Sequence, residues 1–321
     1  MYKILITRQL EPSVMQKLAE TCEVDVWGDD SAIPHDELVK RAQGKNGILC
    51  MLTDAIDKEV LDAAGNDLKA VSTMSVGYDH IDIAECHTRG VAVGYTPDAL
   101  NGSVADLTIA LMLSAGRRMS EAEHAVKTGA WGTWRPYWMT GVDLYGSTVG
   151  VVGLGRIAVD VIKRLKGFNC TVMYFSRTRK PEIEQELGIR YADLDVLLSQ
   201  SDFVTVHAPL APDTKEMFNA ESFSKMKPSA VFVNTSRGGL VDQTALYDAL
   251  SNKTIYAAGL DVTTPEPLET DSPLLSLPNC VILPHIGSAS IETRHQLGLI
   301  AADNLLAGLS GNELPKQVPV S

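Results

Sequence analysis

The sequence predicts an α/β fold of two doubly wound parallel-sheet units, the second inserted into the first. Three observations carry that prediction. Short β-branched runs alternate with helical periods along almost the whole chain, the texture of parallel strands covered by helices on both faces. The alternation is interrupted once, from Asn101, by a long apolar stretch. It restarts at Ser147 as a second, longer series of strand-like runs.

The first strand is Lys3-Ile4-Leu5-Ile6-Thr7. A helix entered at Pro12 follows, with Met15, Leu18, Ala19 and Cys22 on one face. Strand-like runs recur at 24–27, 47–52, 70–74 and 91–95. Asp106 to Met119 is rich in Leu, Ala, Ile and Met and reads as one long, mostly buried helix. The second series places strands near 148–153, 170–175, 203–208, 230–235, 257–262 and 280–284. After Pro284 a last helix is capped by Ser290 and carries Leu297, Ile300, Ala301 and Leu305 on a stripe. Pattern alone leaves two places for that helix: extending the second unit, or returning to pack on the first.

The bulk properties narrow the classes. A chain of 321 residues, 45% hydrophobic and 21% charged, suits two globular domains with full cores. A net charge of -12 argues against nucleic acid or an anionic membrane as partner. The five cysteines (Cys22, Cys50, Cys86, Cys170, Cys280) are scattered, which indicates neither a disulfide frame nor a zinc site, and no metal is expected. There is no signal-peptide pattern, no run long enough to span a membrane, and no peroxisomal address in Val318-Pro319-Val320-Ser321, so a cytoplasmic location is expected.

Val149-Gly150-Val151-Val152 runs into Gly153-Leu154-Gly155-Arg156-Ile157-Ala158 and then into a helical Val159–Leu165 stretch. This is G-x-G-x-x-A at a strand-to-helix turn. Gly153 permits the tight turn, Gly155 lets backbone approach a pyrophosphate, and Ala158 is small enough to pack helix on strand. The free N–H groups of the helix start, from Leu154 to Ile157, are suited to phosphate oxygens. A second series of six strands is also the number that a dinucleotide-binding sheet requires. An NAD site ends its second strand with an acid for the ribose 2′-OH. Here the strand Thr171–Phe175 ends in Ser176-Arg177-Thr178-Arg179-Lys180, with no carboxylate before Glu182. A hydroxyl and arginines hold a 2′-phosphate that an acid would repel, so NADP is expected over NAD.

Three further motifs each follow a strand of the second series. Asn234-Thr235-Ser236-Arg237-Gly238-Gly239 presents Arg237. Leu260-Asp261-Val262-Thr263-Thr264-Pro265-Glu266-Pro267 holds Glu266 between two prolines, and Leu283-Pro284-His285-Ile286-Gly287-Ser288 presents His285. Ligands of open α/β sheets bind at the carboxyl ends of strands, so these three can converge on a nicotinamide. A 2-keto acid offers a carboxylate for an arginine fork and a ketone whose reduction needs a proton, which a histidine paired with a glutamate supplies.

This order of motifs resembles the D-isomer-specific 2-hydroxyacid dehydrogenase family, over essentially the whole chain. Within it the sequence is most similar to glyoxylate/hydroxypyruvate reductases, on Ser72–His80, the Trp131…Trp138 stretch and Leu283–Ala289. The resemblance implies that Arg237 binds substrate, that His285 is the acid/base and that Glu266 is its partner. It implies substrate contacts from the backbone of Val76 and Gly77 and from Ser288. Asp261 would lie by the nicotinamide carboxamide, with Thr235, Pro209 and Gly287 lining the cofactor channel. It also implies a Rossmann domain over 101–285, inserted into a flavodoxin-like substrate domain of 1–100 plus 286–321, with the active cleft between them.

Three of the four tryptophans fall between Trp131 and Trp138. Trp131 is expected as a core anchor beside the long helix. In similar relatives this region crosses to a twofold mate, so a homodimer is implied, with Trp138 narrowing the neighbour's pocket and the long helix supplying most of the apolar contact. The alternatives on this scaffold are other D-2-hydroxyacid dehydrogenases, of D-lactate or 2-ketogluconate type. In a different class stands a dinucleotide-sensing corepressor, which turnover of NADPH with hydroxypyruvate separates from an enzyme.

Overall fold

The computed structural model describes residues 1–319. Val320 and Ser321, which end the expected substrate domain and the C-terminal tetrapeptide, lie outside the described residues. The chain divides into two compact units, Met1–Leu100 with the segment from Ala289 onward, and Asn101–Ser288. Ile286, Gly287 and Ser288, expected with the outer unit, therefore belong to the inner one. The reason is local: the amides of Ile286 and Gly287 donate to the carboxylate of Asp261, at 2.8 and 2.7 Å.

The outer unit contains β1 (Tyr2–Ile6), α1 (Pro12–Ala19), β2 (Cys22–Val26), α2 (His35–Ala42), β3 (Gly47–Cys50) and α3 (Lys58–Ala64). It continues with β4 (Ala70–Thr73), α4 (Ile83–Thr88) and β5 (Ala92–Gly94). Its sheet is parallel, in the order β2-β1-β3-β4-β5, which is the flavodoxin-like winding. Alternate strand residues feed two cores. Leu5, Ile48, Cys50, Val71 and Val93 face one cluster, and Ile4, Ile6, Leu49 and Ala70 face the other. On α1 the buried residues are Val14 and Leu18, one helical turn apart, while Ala19, expected inside, is exposed. The last helix of the chain returns to this unit. It spans Ile291–Leu309, is capped by Ser290, buries Leu297, and packs Ala301, Leu305 and Leu309 into one cluster with Ile4, Ile6, Val14 and Leu18.

The inner unit opens with α5 (Asn101–Gly116) and α6 (Met119–Lys127). The single helix expected over 106–119 thus starts five residues earlier and breaks at Arg118, which takes a left-handed φ of 55°. Next come β6 (Thr148–Val152), α7 (Arg156–Leu165), β7 (Thr171–Phe175), α8 (Pro181–Leu187), β8 (Arg190–Tyr191) and α9 (Leu194–Gln200). The unit finishes with β9 (Phe203–Val206), α10 (Ala220–Ser224), β10 (Val231–Asn234), α11 (Gln243–Ser251), β11 (Ala257–Leu260) and β12 (Cys280–Ile282). The sheet is parallel with seven strands among the described residues, ordered β12-β11-β10-β9-β6-β7-β8. The sequence shows six of them. The seventh, β8, is an edge strand of two residues, too short for any periodicity to register. Helices cover both faces: Val204, Val206, Phe232 and Ala258 point into one core, Val149, Val151, Val231 and Val233 into the other. The helix α5 belongs to the second of these, through Ala105, Ile109, Leu111, Met112 and Ala115.

The aromatic stretch after α6 has no regular secondary structure. Trp131 is 57% exposed and is no core anchor, a correction to the expectation. A segment without ladder or helix bonds keeps its backbone near water, and the side chain goes with it. No helix of the described residues is long and apolar enough to cross a membrane, and none of their His, Cys, Asp or Glu groups could hold a metal.

Candidate active site

The strand β6 delivers Gly153 to the first turn of α7, and Gly153 needs its glycine. Its φ is +91°, and a Cβ there would lie 2.7 Å from the backbone of His207 and Ala208. Its N–H donates to the carbonyl of Phe175 at 2.8 Å, tying the loop to the end of β7. Gly155 is the N-cap of α7, and a Cβ there would meet nothing within 4 Å. The open face above a helix N-terminus whose amides have no side-chain cap fits a dinucleotide pyrophosphate. Leu154 and Ala158 are buried beneath the loop, Ile157 is half-buried against the core, and Arg156 stands at the surface. At the end of β7, Ser176 donates to the Thr178 carbonyl at 2.7 Å. Arg177 makes a long, exposed pairing of 3.4 Å with Asp213. Arg179 instead binds both oxygens of Glu184, each at 2.8 Å.

The predicted trio is assembled within this unit. His285 Nδ1 lies 2.7 Å from Glu266 Oε2, and the other carboxylate oxygen accepts from the Thr263 amide at 3.0 Å. A carboxylate only accepts, so Nδ1 carries the proton and Nε2 is the nitrogen left for a substrate. Burial raises the pKa of Glu266. The hydrogen bond and charge of His285, helped by the Thr263 amide and the Arg237 guanidinium, outweigh that and hold it below the ordinary carboxylate range. Arg237 begins a short 3-10 turn, Gly238–Leu240, and its Nη1 donates to the Ser236 carbonyl at 2.9 Å.

Residues that pattern reading did not select hold these loops in place. Asn234, fully buried at the end of β10, donates to the Arg237 carbonyl and accepts from the Ser236 amide, at 2.8 and 3.0 Å. Gly238 is the point of closest approach: a Cβ would come within 1.9 Å of the Thr263 carbonyl oxygen. The Gln243 side chain bonds both backbone groups of Thr264, in the loop that carries Glu266. A polar residue ending an otherwise apolar strand was the available signal for Asn234. Gln243 left none, because its partners are backbone atoms.

The other expected residues fall as follows. Asp261 is buried, and burial raises its pKa despite the Ile286 and Gly287 amides that it accepts. Its carbonyl also accepts from the His285 amide at 2.9 Å, so it shapes the turn presenting the histidine. Thr235 is bonded to Thr108 of α5 at 3.0 Å, and the exposed Pro209 offers its carbonyl to Thr214 at 2.8 Å. Ser288 and Trp138 are half-buried, the latter with the Arg135 guanidinium 4.6 Å from its ring centre. Val76 and Gly77 belong to the outer unit, in the loop after β4. There Ser75 donates to the Gly77 carbonyl at 2.6 Å and bonds Thr73 at 2.8 Å, and Thr73 bonds His80 at 3.0 Å.

Comparison with known proteins gives a consistent result. The family model for the D-isomer-specific 2-hydroxyacid dehydrogenase NAD-binding domain matches residues 109–287. The chain is 47% identical over 319 residues to the human glyoxylate reductase/hydroxypyruvate reductase, covering 98% of this chain and 97% of the relative. It is 41% identical to a glyoxylate reductase of Korarchaeum cryptofilum, with 98% and 95% covered. Among solved structures, a Thermus thermophilus protein superposes with a TM-score of 0.93 at 42% identity, over 99% of this chain and all of the other. An NADPH-dependent glyoxylate/hydroxypyruvate reductase of Sinorhizobium meliloti, solved with NADP and malonate, superposes with a TM-score of 0.85 at 33% identity, with 99% and 96% covered. With the phosphate loop, the seven-stranded parallel sheet and the histidine–glutamate pair already in place, the chain belongs to the D-isomer-specific 2-hydroxyacid dehydrogenase family.

Proposed function

We propose that the chain reduces a small 2-keto acid, glyoxylate or hydroxypyruvate, to glycolate or D-glycerate, preferring NADPH and using His285 as proton donor. The observation that carries the reading is the 2.7 Å pair of His285 and Glu266, with Arg237 near enough to lower the glutamate pKa. The substrate class rests on relatives of 41–47% identity whose names are those of glyoxylate and hydroxypyruvate reductases. The coenzyme preference rests on the Ser176-Arg177-Thr178 end of β7, which carries no ribose-binding acid. The NADPH-dependent Sinorhizobium relative supports it.

Bound at the phosphate loop, a nicotinamide coenzyme would supply the hydride. Arg237 provides a planar fork for the substrate carboxylate, and the amides of Val76 and Gly77 and the side chain of Ser288 are assigned to the same substrate. Glu266 fixes the imidazole through Nδ1, leaving Nε2–H of the protonated ring to meet the negative charge that grows on the carbonyl oxygen. The Asp261 carboxylate holds the 285–287 turn through two backbone amides, which keeps that nitrogen in one place. Thr235, Pro209 and Gly287 are assigned to the cofactor channel. The reading includes a cytoplasmic homodimer in which Trp138 closes the substrate pocket of the mate.

Steady-state kinetics with glyoxylate, hydroxypyruvate and pyruvate, each with NADPH and NADH, test the proposal. The expected result is the highest kcat/KM for glyoxylate or hydroxypyruvate with NADPH. Turnover confined to pyruvate overturns the substrate class, a preference for NADH overturns the coenzyme assignment, and no turnover with any pair favours the binding-module alternative.

A further inference from the structure

The basic turn after β7 is not one cluster. Arg179 is bound to both oxygens of Glu184, and its guanidinium also lies 5.8 Å from the ring centre of Tyr191. The Glu184 carboxylate accepts in addition from the hydroxyl of the buried Tyr174 at 2.7 Å. That same hydroxyl accepts from the Lys180 amide at 2.8 Å. Arg179, followed by Tyr174, pulls the Glu184 pKa down to about 2, so the glutamate remains an anion throughout the neutral range. This closed network of arginine, glutamate, tyrosine and backbone has its charges matched. It is a brace for the turn.

Lys180 is placed differently. Its ammonium donates to the carbonyl of Leu154, in the phosphate loop itself, at 2.6 Å. An ammonium has three donors, and this bond uses one. The lysine therefore spans from the end of β7 to the loop after β6. In a dinucleotide fold those two points flank the adenosine ribose, where the second strand ends beside the 2′ position. Arg177 stands on the same turn, 71% exposed, in a pairing with Asp213 long enough to be exchanged for a better anion.

We propose that Lys180, together with Arg177, forms the cationic half of the 2′-phosphate clamp, and that Arg179 is a brace rather than a ligand. The assignment rests on the NADPH reading above and sharpens it: of the three basic residues in this turn, geometry selects the first and the third, Arg177 and Lys180. It also makes Lys180 a physical link between recognition of the 2′-phosphate and the pose of the pyrophosphate loop.

The test compares wild type with Lys180→Met, Lys180→Arg and Arg179→Met by titration. The probes are NADPH and NADH, and the fragments 2′,5′-ADP and 5′-AMP, at one ionic strength. Loss of one charge-assisted contact predicts that Lys180→Met raises Kd for NADPH and 2′,5′-ADP about 10-fold or more, with NADH and 5′-AMP changed less than about 3-fold. Lys180→Arg should retain most of the preference. Arg179→Met should lower the melting temperature while leaving the NADPH-to-NADH ratio within about 3-fold, since screened, exposed pairs contribute little to a ligand they do not touch. Equal weakening of both coenzymes in Lys180→Met would reduce the lysine to a loop pin and overturn the proposal. So would collapse of the ratio in Arg179→Met with Lys180→Met unaffected. A wild type that binds 5′-AMP as well as 2′,5′-ADP would instead refute the NADPH reading, and this assignment with it.

Discussion

A histidine with positive φ is uncommon, and His285 holds +55° in the loop that presents it. The conformation persists because three bonds over-determine it: its amide to Asp261, and the two following amides to the Asp261 carboxylate. Local backbone strain and the ion pair with Glu266 meet at one residue, as expected of a group whose position matters more than its stability. Replacing His285 by Ala should lower kcat by roughly 10²–10⁴-fold and leave coenzyme Kd nearly unchanged. With His285 as the proposed proton donor, reduction consumes the proton that the imidazole carries, so kcat/KM should fall as pH rises. Glu266 is held below the ordinary carboxylate range, so it is an anion at neutral pH and favours the charged ring. Glu266→Gln removes that charge, and the alkaline fall of kcat/KM should move to lower pH. A profile that stays in place would show that the Glu266 charge does not act on the proton donor.

Among the elements, legibility followed length and periodicity. All five strands of the outer sheet and six of the inner seven were readable as β-branched runs, and the G-x-G-x-x-A turn was readable because strand and helix flank it. The two-residue β8 and the break at Arg118 were not: neither alters the apolar pattern, and a left-handed arginine gives no warning in composition. Of the site, the side chains with chemistry of their own were visible, and those acting on backbone were not, as with Asn234 and Gln243. The last helix shows the same limit. Its stripe left two destinations open, and the deciding residue is a polar one. Asn304 is fully buried, donates to the Tyr95 carbonyl at 2.9 Å and accepts from the Lys316 amide at 2.8 Å. Its Cβ lies where a side chain on Gly94 would be, 2.6 Å from the position of that Cβ. Asn304→Leu would leave two backbone groups without partners, each costing about 1–3 kcal/mol. Urea unfolding should therefore report a loss of roughly 2–5 kcal/mol, and a change below about 0.5 kcal/mol would mean that the helix is held by its apolar stripe alone.

For the molecule as a whole, the question is what a surface of net charge -12 does with an apolar patch. Trp134 and Tyr137 are 78% and 87% exposed, next to Trp131, with Met119 and Val126 of α6 also exposed. The helix expected to carry a dimer, α5, has most of its apolar side chains in the core of its own unit. In the proposed homodimer the aromatic stretch would then carry the apolar contact, because exposed aromatics in one run mark interaction surfaces and are costly to leave in water. Two like-charged copies repel over a distance that salt shortens, whereas apolar burial does not weaken with added salt. Sedimentation should therefore show a dimer that tightens as ionic strength rises from about 0.01 to 0.15 M, over which the screening length falls from about 30 to 8 Å. Trp134→Asp with Tyr137→Asp should yield monomers. Trp138→Ala, at the half-buried end of the run, should keep the dimer, raise KM for glyoxylate and relax selection against bulkier keto acids. A Trp138→Ala protein that is monomeric with an unaltered substrate profile would contradict both roles, placing the aromatic run in assembly alone.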